Sequence, residues 1–129
     1  MNKILNIVCV DDEKMVLDSL SNQLTRNFGS HYNYEFAESA EEALQIIDEL
    51  ISESDEVIYV VISDWLMPGM KGDELLEEVR KKVNNVKTIL LTGHVDNAVV
   101  RAIEQKQHGE IRCIFKPWNE KDLIELIEA

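Results

Sequence analysis

Five short runs rich in β-branched residues alternate with five amphipathic stretches from one end of the chain to the other, and no other feature limits the fold as much. The first run is Ile4–Val10, and after it Leu17, Leu20, Leu24 and Phe28 share one helical face that Gly29 terminates. Asn33–Ala37 is polar at alternate positions, as an edge strand would be. Ser39 with Glu42 reads as a capping box for a helix that turns Ala43, Leu44, Ile47 and Leu50 inward. Val57–Ser63 is almost continuously apolar, which predicts cover on both faces. The turn cluster Met67-Pro68-Gly69-Met70-Lys71-Gly72 precedes a helix with Leu75, Leu76, Val79 and Val83 apolar. Val86–Thr92 is the fourth run, followed by a short helix around Ala98–Gln105 that stops near Gly109. Ile111–Phe115 is the fifth, and Leu123, Ile124 and Ile127 mark the last helix. Strict β-then-α alternation predicts a parallel sheet with helices on both faces. Right-handed crossovers reduce the choice to an open, doubly wound sheet with its ligand at the carboxyl ends of the strands.

Composition narrows the class. The 129 residues suit one domain, residues 1–129, and the 45% apolar content supplies a packed core. Net charge is −12, from 25 acidic against 13 basic side chains, which argues against nucleic acid or an anionic membrane as the main partner. No apolar run nears the roughly 20 residues of a spanning helix, and the N-terminus lacks a signal-peptide pattern, so the expected location is the cytoplasm. Cys9 and Cys113 make no zinc spacing and no disulfide framework. His31, His94 and His108 form no ligand spacing either.

The predicted strand ends hold the chemistry. The first run leads into Asp11-Asp12-Glu13, the third into Asp64, the fourth ends in Thr92 and the fifth leads into Lys116. A carboxylate directly after a buried strand needs a compensating partner. Two unit charges about 4 Å apart interact by roughly 4 kcal/mol at an effective dielectric near 20, so three carboxylates at one edge repel strongly. Lys116 neutralises one charge. The remainder calls for a hard divalent cation, and an oxygen-only set favours magnesium over zinc. Magnesium also leaves coordination sites for phosphate oxygens. Acids after the first strand also have a plainer reading, as helix N-terminal residues favoured by the dipole.

These residues, in this order, resemble the receiver domain of two-component response regulators, the fold of the bacterial chemotaxis regulator. The matching pieces are Asp11-Asp12, Asp64-Trp65-Leu66-Met67-Pro68-Gly69-Met70-Lys71-Gly72, Thr92-Gly93 and Lys116-Pro117, and they span essentially the whole chain. The resemblance implies a flavodoxin-like α/β fold of five parallel strands in the order 2-1-3-4-5, with five helices. It implies that a histidine kinase or phosphotransfer protein phosphorylates Asp64, the carboxylate nucleophile of an acyl phosphate. It implies Mg2+ held by Asp12 and Asp64 directly, by Asp11 mainly through water, and by the backbone carbonyl of Leu66. Lys116, aimed inward by a cis bond to Pro117, and Thr92 would meet the phosphoryl oxygens. Metal and lysine would neutralise charge, which is most of what phosphoryl transfer needs. Thr92 would be the switch that answers the added charge, with a downstream output domain or protein, and a homodimer, as its readers.

Some positions depart from the family pattern. Cys113 stands where receivers commonly carry the Tyr or Phe that couples to the threonine, so aromatic gating has no side chain there. The two positions that tune acyl-phosphate lifetime are Leu66 and His94. Trp65 and Trp118 flank the site in sequence and read as packing residues. With the implied strand order Cys9 and Cys113 lie three strand spacings apart, roughly 14 Å, against the limit of about 7 Å for a disulfide.

Rival readings need other residues. A haloacid-dehalogenase-type phosphatase needs Asp-x-Asp after the first strand, flavodoxins need a glycine-rich phosphate loop there, and no P-loop is present. A degenerate receiver that binds without phosphorylation would lack a site residue, and none is missing. The chain is read as a phosphoacceptor rather than an enzyme in its own right. The apolar pattern of the last helix still runs at Glu128-Ala129, so the natural chain is expected to continue into an output domain. Lys116-Pro117-Trp118 and Leu91-Thr92-Gly93-His94 are similar to receivers fused to enzymatic outputs such as cyclic-di-GMP phosphodiesterases, an analogy at family level.

Overall fold

A computed structural model of the protein describes residues 3–93, 97–106 and 111–129, and for Asn97, Val99, Glu104 and Lys106 the backbone alone. His94, His108 and Gly109, named above, lie outside the described residues. The strands are β1 (Ile4–Val10), β2 (Tyr32–Ala37), β3 (Glu56–Asp64), β4 (Lys87–Thr92) and β5 (Ile111–Phe115). All pairings are parallel, in the order β2-β1-β3-β4-β5. The helices are α1 (Lys14–Phe28), α2 (Ala40–Ile51), α3 (Gly72–Lys82), α4 (Asn97–Lys106) and α5 (Glu120–Glu128), with a 3-10 turn at Gly29–His31. The flavodoxin-like architecture is the one expected. Among the described residues no helix is long and apolar enough to cross a membrane.

The helix ends follow their local chemistry. Gly29 closes α1 at φ 69°, a left-handed conformation that suits glycine, and its N–H donates to the Thr25 carbonyl. Ser39 Oγ accepts from the Glu42 N–H at 3.1 Å, and the Glu42 carboxylate reaches back to the Glu38 N–H, one residue earlier than in the usual capping box. Asn119 caps α5 through the Lys121 N–H at 2.8 Å.

The sheet separates two apolar cores. Val8, Val10, Ile58, Val61 and Leu90 face α2, α3 and α4, meeting Ala43, Ile47, Leu75, Leu76, Val79 and Ile103. Ile7, Cys9, Val60, Ile62, Ile89 and Leu91 face α1 and α5, meeting Leu17, Leu20, Leu24, Leu123, Ile124 and Ile127. The run Ile58–Asp64 is buried except for Tyr59, which accounts for its nearly continuous apolar sequence. Both cysteines are free thiols, on β1 and β5 with β3 and β4 between them.

Alternation fails at one place in β3. Asn6 pairs with Ile58 but Ile7 pairs with Val60, so Tyr59 is an extra residue, and Tyr59 and Val60 both pack on the α1–α5 side. Beyond this bulge Val10 pairs with Ser63, which brings Asp64 level with Asp11; the register before the bulge would set Asp11 beside Ser63. Buried Asn6 ties the strands together here. Its amide donates to Glu56 Oε2 at 2.6 Å, and its oxygen accepts from Asn33 Nδ2 at 2.6 Å, a polar ladder across β2, β1 and β3. Asn6→Ala leaves those half-buried partners unmatched and is expected to cost about 1 kcal/mol in urea unfolding. An unchanged midpoint would show the ladder to be dispensable.

Candidate functional site

The carboxyl ends of β1, β3, β4 and β5 deliver the residues singled out from the sequence to one edge. Asp64 is the last residue of β3, paired in register with Leu91, and Thr92 ends β4 beside Phe115. The Asp11 N–H donates to the Ala37 carbonyl at 3.1 Å and the Lys116 N–H to the Thr92 carbonyl at 2.8 Å, so each continues a strand by one rung. Ladder geometry fixes these backbones before any side-chain interaction is considered.

Asp11 is fully buried, Asp64 nearly so and Thr92 likewise, whereas Asp12 is exposed on the rim. Lys116 Nζ lies between two carboxylates, 3.0 Å from Asp11 Oδ2 and 2.9 Å from Asp64 Oδ1. The other Asp11 oxygen accepts the Glu13 N–H at 2.8 Å, so both of its oxygens are engaged. Burial pushes the Asp64 carboxyl above its ordinary range; the Asp11 and Asp12 charges add to this, and the Lys116 hydrogen bond opposes it. For Lys116 burial acts downward, but the bonds to Asp64 and Asp11 outweigh it and the ammonium is held more tightly than usual. The Lys116–Pro117 bond is cis.

The three carboxylates can each offer an oxygen so that all lie within 4.8 Å of one another. At that distance each pair repels by about 3 kcal/mol at an effective dielectric near 20, and one ammonium cannot offset three such charges. An all-oxygen donor set with no His or Cys fits a small, hard dication better than zinc. The cleft above the acids, about 330 Å³, is lined by Glu13, Asp64, Trp65, Leu66, Gly93 and Lys116 and has room for a small anionic group. Leu66 is half-exposed on its rim. Cys113 stands apart, pairing with Leu90 further down β5 and packing toward the α2–α4 side.

Other residues hold Asp64 in place. The Trp65 N–H donates to the Leu91 carbonyl at 2.9 Å, and the Trp65 carbonyl accepts from the Gly72 N–H at 2.8 Å. Its indole N–H donates to Asp73 Oδ1 at 3.2 Å, so Trp65 ties the strand end to α3 rather than only packing. A Cβ on Gly72 would lie 1.9 Å from the Asp64 carbonyl oxygen, a separation no side chain tolerates. Gly69, at φ 85°, makes the turn that brings α3 back to this contact. Trp118 donates its indole N–H to Gln23 Oε1 on α1 at 2.7 Å. Glu13 and Gly93 also line the cleft, although neither was singled out as a site residue. Adjacency to Asp12 and Thr92 was the signal available for both.

Comparison with known proteins agrees with this geometry. Residues 7–128 match the model of the response regulator receiver domain. The chain is 31% identical over 121 residues to the response regulator protein FleR of Pseudomonas aeruginosa, covering 94% of this chain and 23% of that protein. It is 34% identical over 119 residues to the transcriptional regulatory protein FixJ of Rhizobium meliloti, covering 92% and 53%. The chain thus spans about a quarter to a half of the length of these relatives. Among solved structures, the signal receiver domain of an HD domain-containing protein from Pseudomonas fluorescens superposes with a TM-score of 0.80 at 29% identity, covering 98% of this chain and 93% of that one.

Two substitutions test the geometry. Gly72→Ala must displace the Asp64 backbone or α3, and is expected to cost about 3 kcal/mol in urea unfolding, the upper end for overpacking. In a chelator at neutral pH, Asp64→Asn is expected to raise Tm. The native state binds a proton at Asp64 more tightly than the unfolded chain does, so ionising this carboxyl lowers stability as pH rises from the ordinary carboxylate range. The advantage of the amide should therefore shrink as pH is lowered into that range. A Tm gap that stays constant with pH would contradict this account.

Proposed function

The chain belongs to the response regulator receiver domain family of two-component systems, and from that premise we propose that it is a phosphoacceptor in which Asp64 takes a phosphoryl group from a histidine kinase or phosphotransfer protein. The observation that carries this reading is the buried Asp64 carboxylate at the floor of an open cleft, with one oxygen bound to Lys116 at 2.9 Å. An Asp64 oxygen forms the bond to phosphorus as the donor's bond breaks, and the leaving group takes the electron pair. Lys116 shifts its bonds from carboxylate to phosphoryl oxygens. Thr92, at the end of the neighbouring strand, supplies a hydroxyl to the same group.

Asp11, Asp12 and Asp64, with the backbone carbonyl of Leu66, would hold Mg2+. When bound, the cation neutralises the acidic cluster and the charge gathering on the phosphoryl oxygens. The chain's own residues do the rest. Ladder bonds fix Asp64, Trp65 and Gly72 lock its backbone, and Asp11 orients Lys116. The added charge biases Thr92, and the signal passes to an output domain or separate output protein in the cytoplasm. We assign residues 1–129 as one receiver domain. The match to the receiver of an HD domain-containing protein supports an output domain joined to the receiver, and the match to FixJ, a transcriptional regulatory protein, supports a transcriptional output. Cys113 takes the position of the usual aromatic switch without its ring, so Thr92 is the main element of the response.

Intact-mass analysis after incubation with acetyl phosphate and Mg2+ should detect one phosphoryl group, absent from Asp64→Asn; uptake by that variant would falsify the assignment. Saturating Mg2+ should raise the Tm of the parent, since it binds the folded chain alone, and Asp12→Ala should lose that rise. Lys116→Ala should still bind Mg2+ but lose the Trp65 fluorescence response to beryllofluoride.

A further inference from the structure

Lys116 reaches the acids from a loop, and the structure shows where that loop is fastened. Two residues after Lys116, the Trp118 indole N–H donates to Gln23 Oε1 on α1 at 2.7 Å, while the ring packs against the α1–α5 core. Between this bond and the acidic cluster lies a cleft of about 480 Å³, lined by Glu13, Val16 and Ser19 of the α1 side and by Lys116, Pro117 and Trp118. The cleft therefore lies between the Lys116–Pro117 segment and α1, and the Trp118–Gln23 bond bridges from the loop to the helix at its border.

Helix α1 also begins directly after Asp11 and Asp12. The element that follows Asp11 and Asp12 in the chain thus also carries Gln23, the amide that holds the loop of Lys116. A second tether joins Glu120 of α5 to Arg26 and Asn27 of α1. Arg26 is 60% exposed, so that pair is screened by water and holds weakly. The half-buried indole–amide bond is the geometrically selective one.

We propose that Gln23 and Trp118 are positioning residues whose hydrogen bond sets how far Lys116 reaches between Asp11 and Asp64, and so how readily Asp64 accepts a phosphoryl group. The proposal rests on the phosphoacceptor reading for its consequence but not for its geometry. Gln23→Leu keeps the volume and removes the acceptor, Trp118→Phe keeps an aromatic ring and removes the donor, and Gln23→Glu keeps an acceptor.

The experiment measures two quantities on the whole chain. The first is the Lys116 side-chain ammonium resonance by 15N NMR in Mg2+-free buffer. The second is the phosphorylation rate with acetyl phosphate at saturating Mg2+. Gln23→Leu and Trp118→Phe are each expected to shift or broaden the Lys116 resonance. They should also slow phosphorylation by about tenfold, short of the roughly hundredfold attached to a displacement of a full ångström. Gln23→Glu should restore both, and Arg26→Gln should stay within about twofold of the parent. An unchanged Lys116 resonance in the Leu and Phe variants overturns the proposal, as does an equal loss in Arg26→Gln, which would show general loosening of helix packing. Should Gln23→Leu fail to fold, Trp118→Phe decides. If the parent takes up no phosphoryl group, the phosphoacceptor reading fails, while the resonance still tests the anchor.

Discussion

A single ammonium set among three carboxylates at the carboxyl edge of the sheet is the constraint on which the rest of the structure depends. Lys116 bonds to both buried acids, yet one positive charge cannot balance Asp11, Asp12 and Asp64 within 4.8 Å of one another. The three acids therefore repel one another, and the fold must hold them together against that repulsion. It does so through backbone geometry: parallel ladders fix the strand ends, and Asp11 is further tied by the N–H of Glu13. Unfavourable charge at a site held by favourable burial elsewhere is a common arrangement where function requires an ionic ligand.

The two cores divide this work. The α1–α5 side fastens the segment of Lys116, because α1 receives Trp118 from the loop beyond Lys116 and Glu120 from the start of α5. The α2–α4 side holds Asp64, because Trp65 and Gly72 join the end of β3 to the first turn of α3. Anion and cation are thus positioned from opposite faces of the sheet and meet only at its edge.

Much of this was legible in the sequence, for identifiable reasons. Strand and helix periodicities gave the element order, and the buried run before Asp64 gave a central strand. The polar residues after four of those runs then converge, because a parallel sheet places all of its carboxyl ends on one side. The ends of elements moved slightly: β2 opens at Tyr32, and Asp64 belongs to β3 rather than following it. What the sequence did not disclose depends on distances between residues remote in the chain. Trp65 and Trp118 read as packing side chains, since nothing local reveals that their N–H groups find Asp73 and Gln23. Gly72 was visible as part of a turn cluster, but its close approach to the Asp64 carbonyl needs three-dimensional placement. Asn6 sits within an otherwise apolar run, and only the strand order explains its burial.

The bulge at Tyr59 has a bearing on how such a chain can diverge. Because one extra residue in β3 decides which side-chain parity reaches the edge, losing or gaining a single codon between Glu56 and Asp64 would exchange inward and outward positions for everything downstream. Point replacement leaves that count intact. The length of this strand is thus under a constraint separate from the one that burial puts on its side chains.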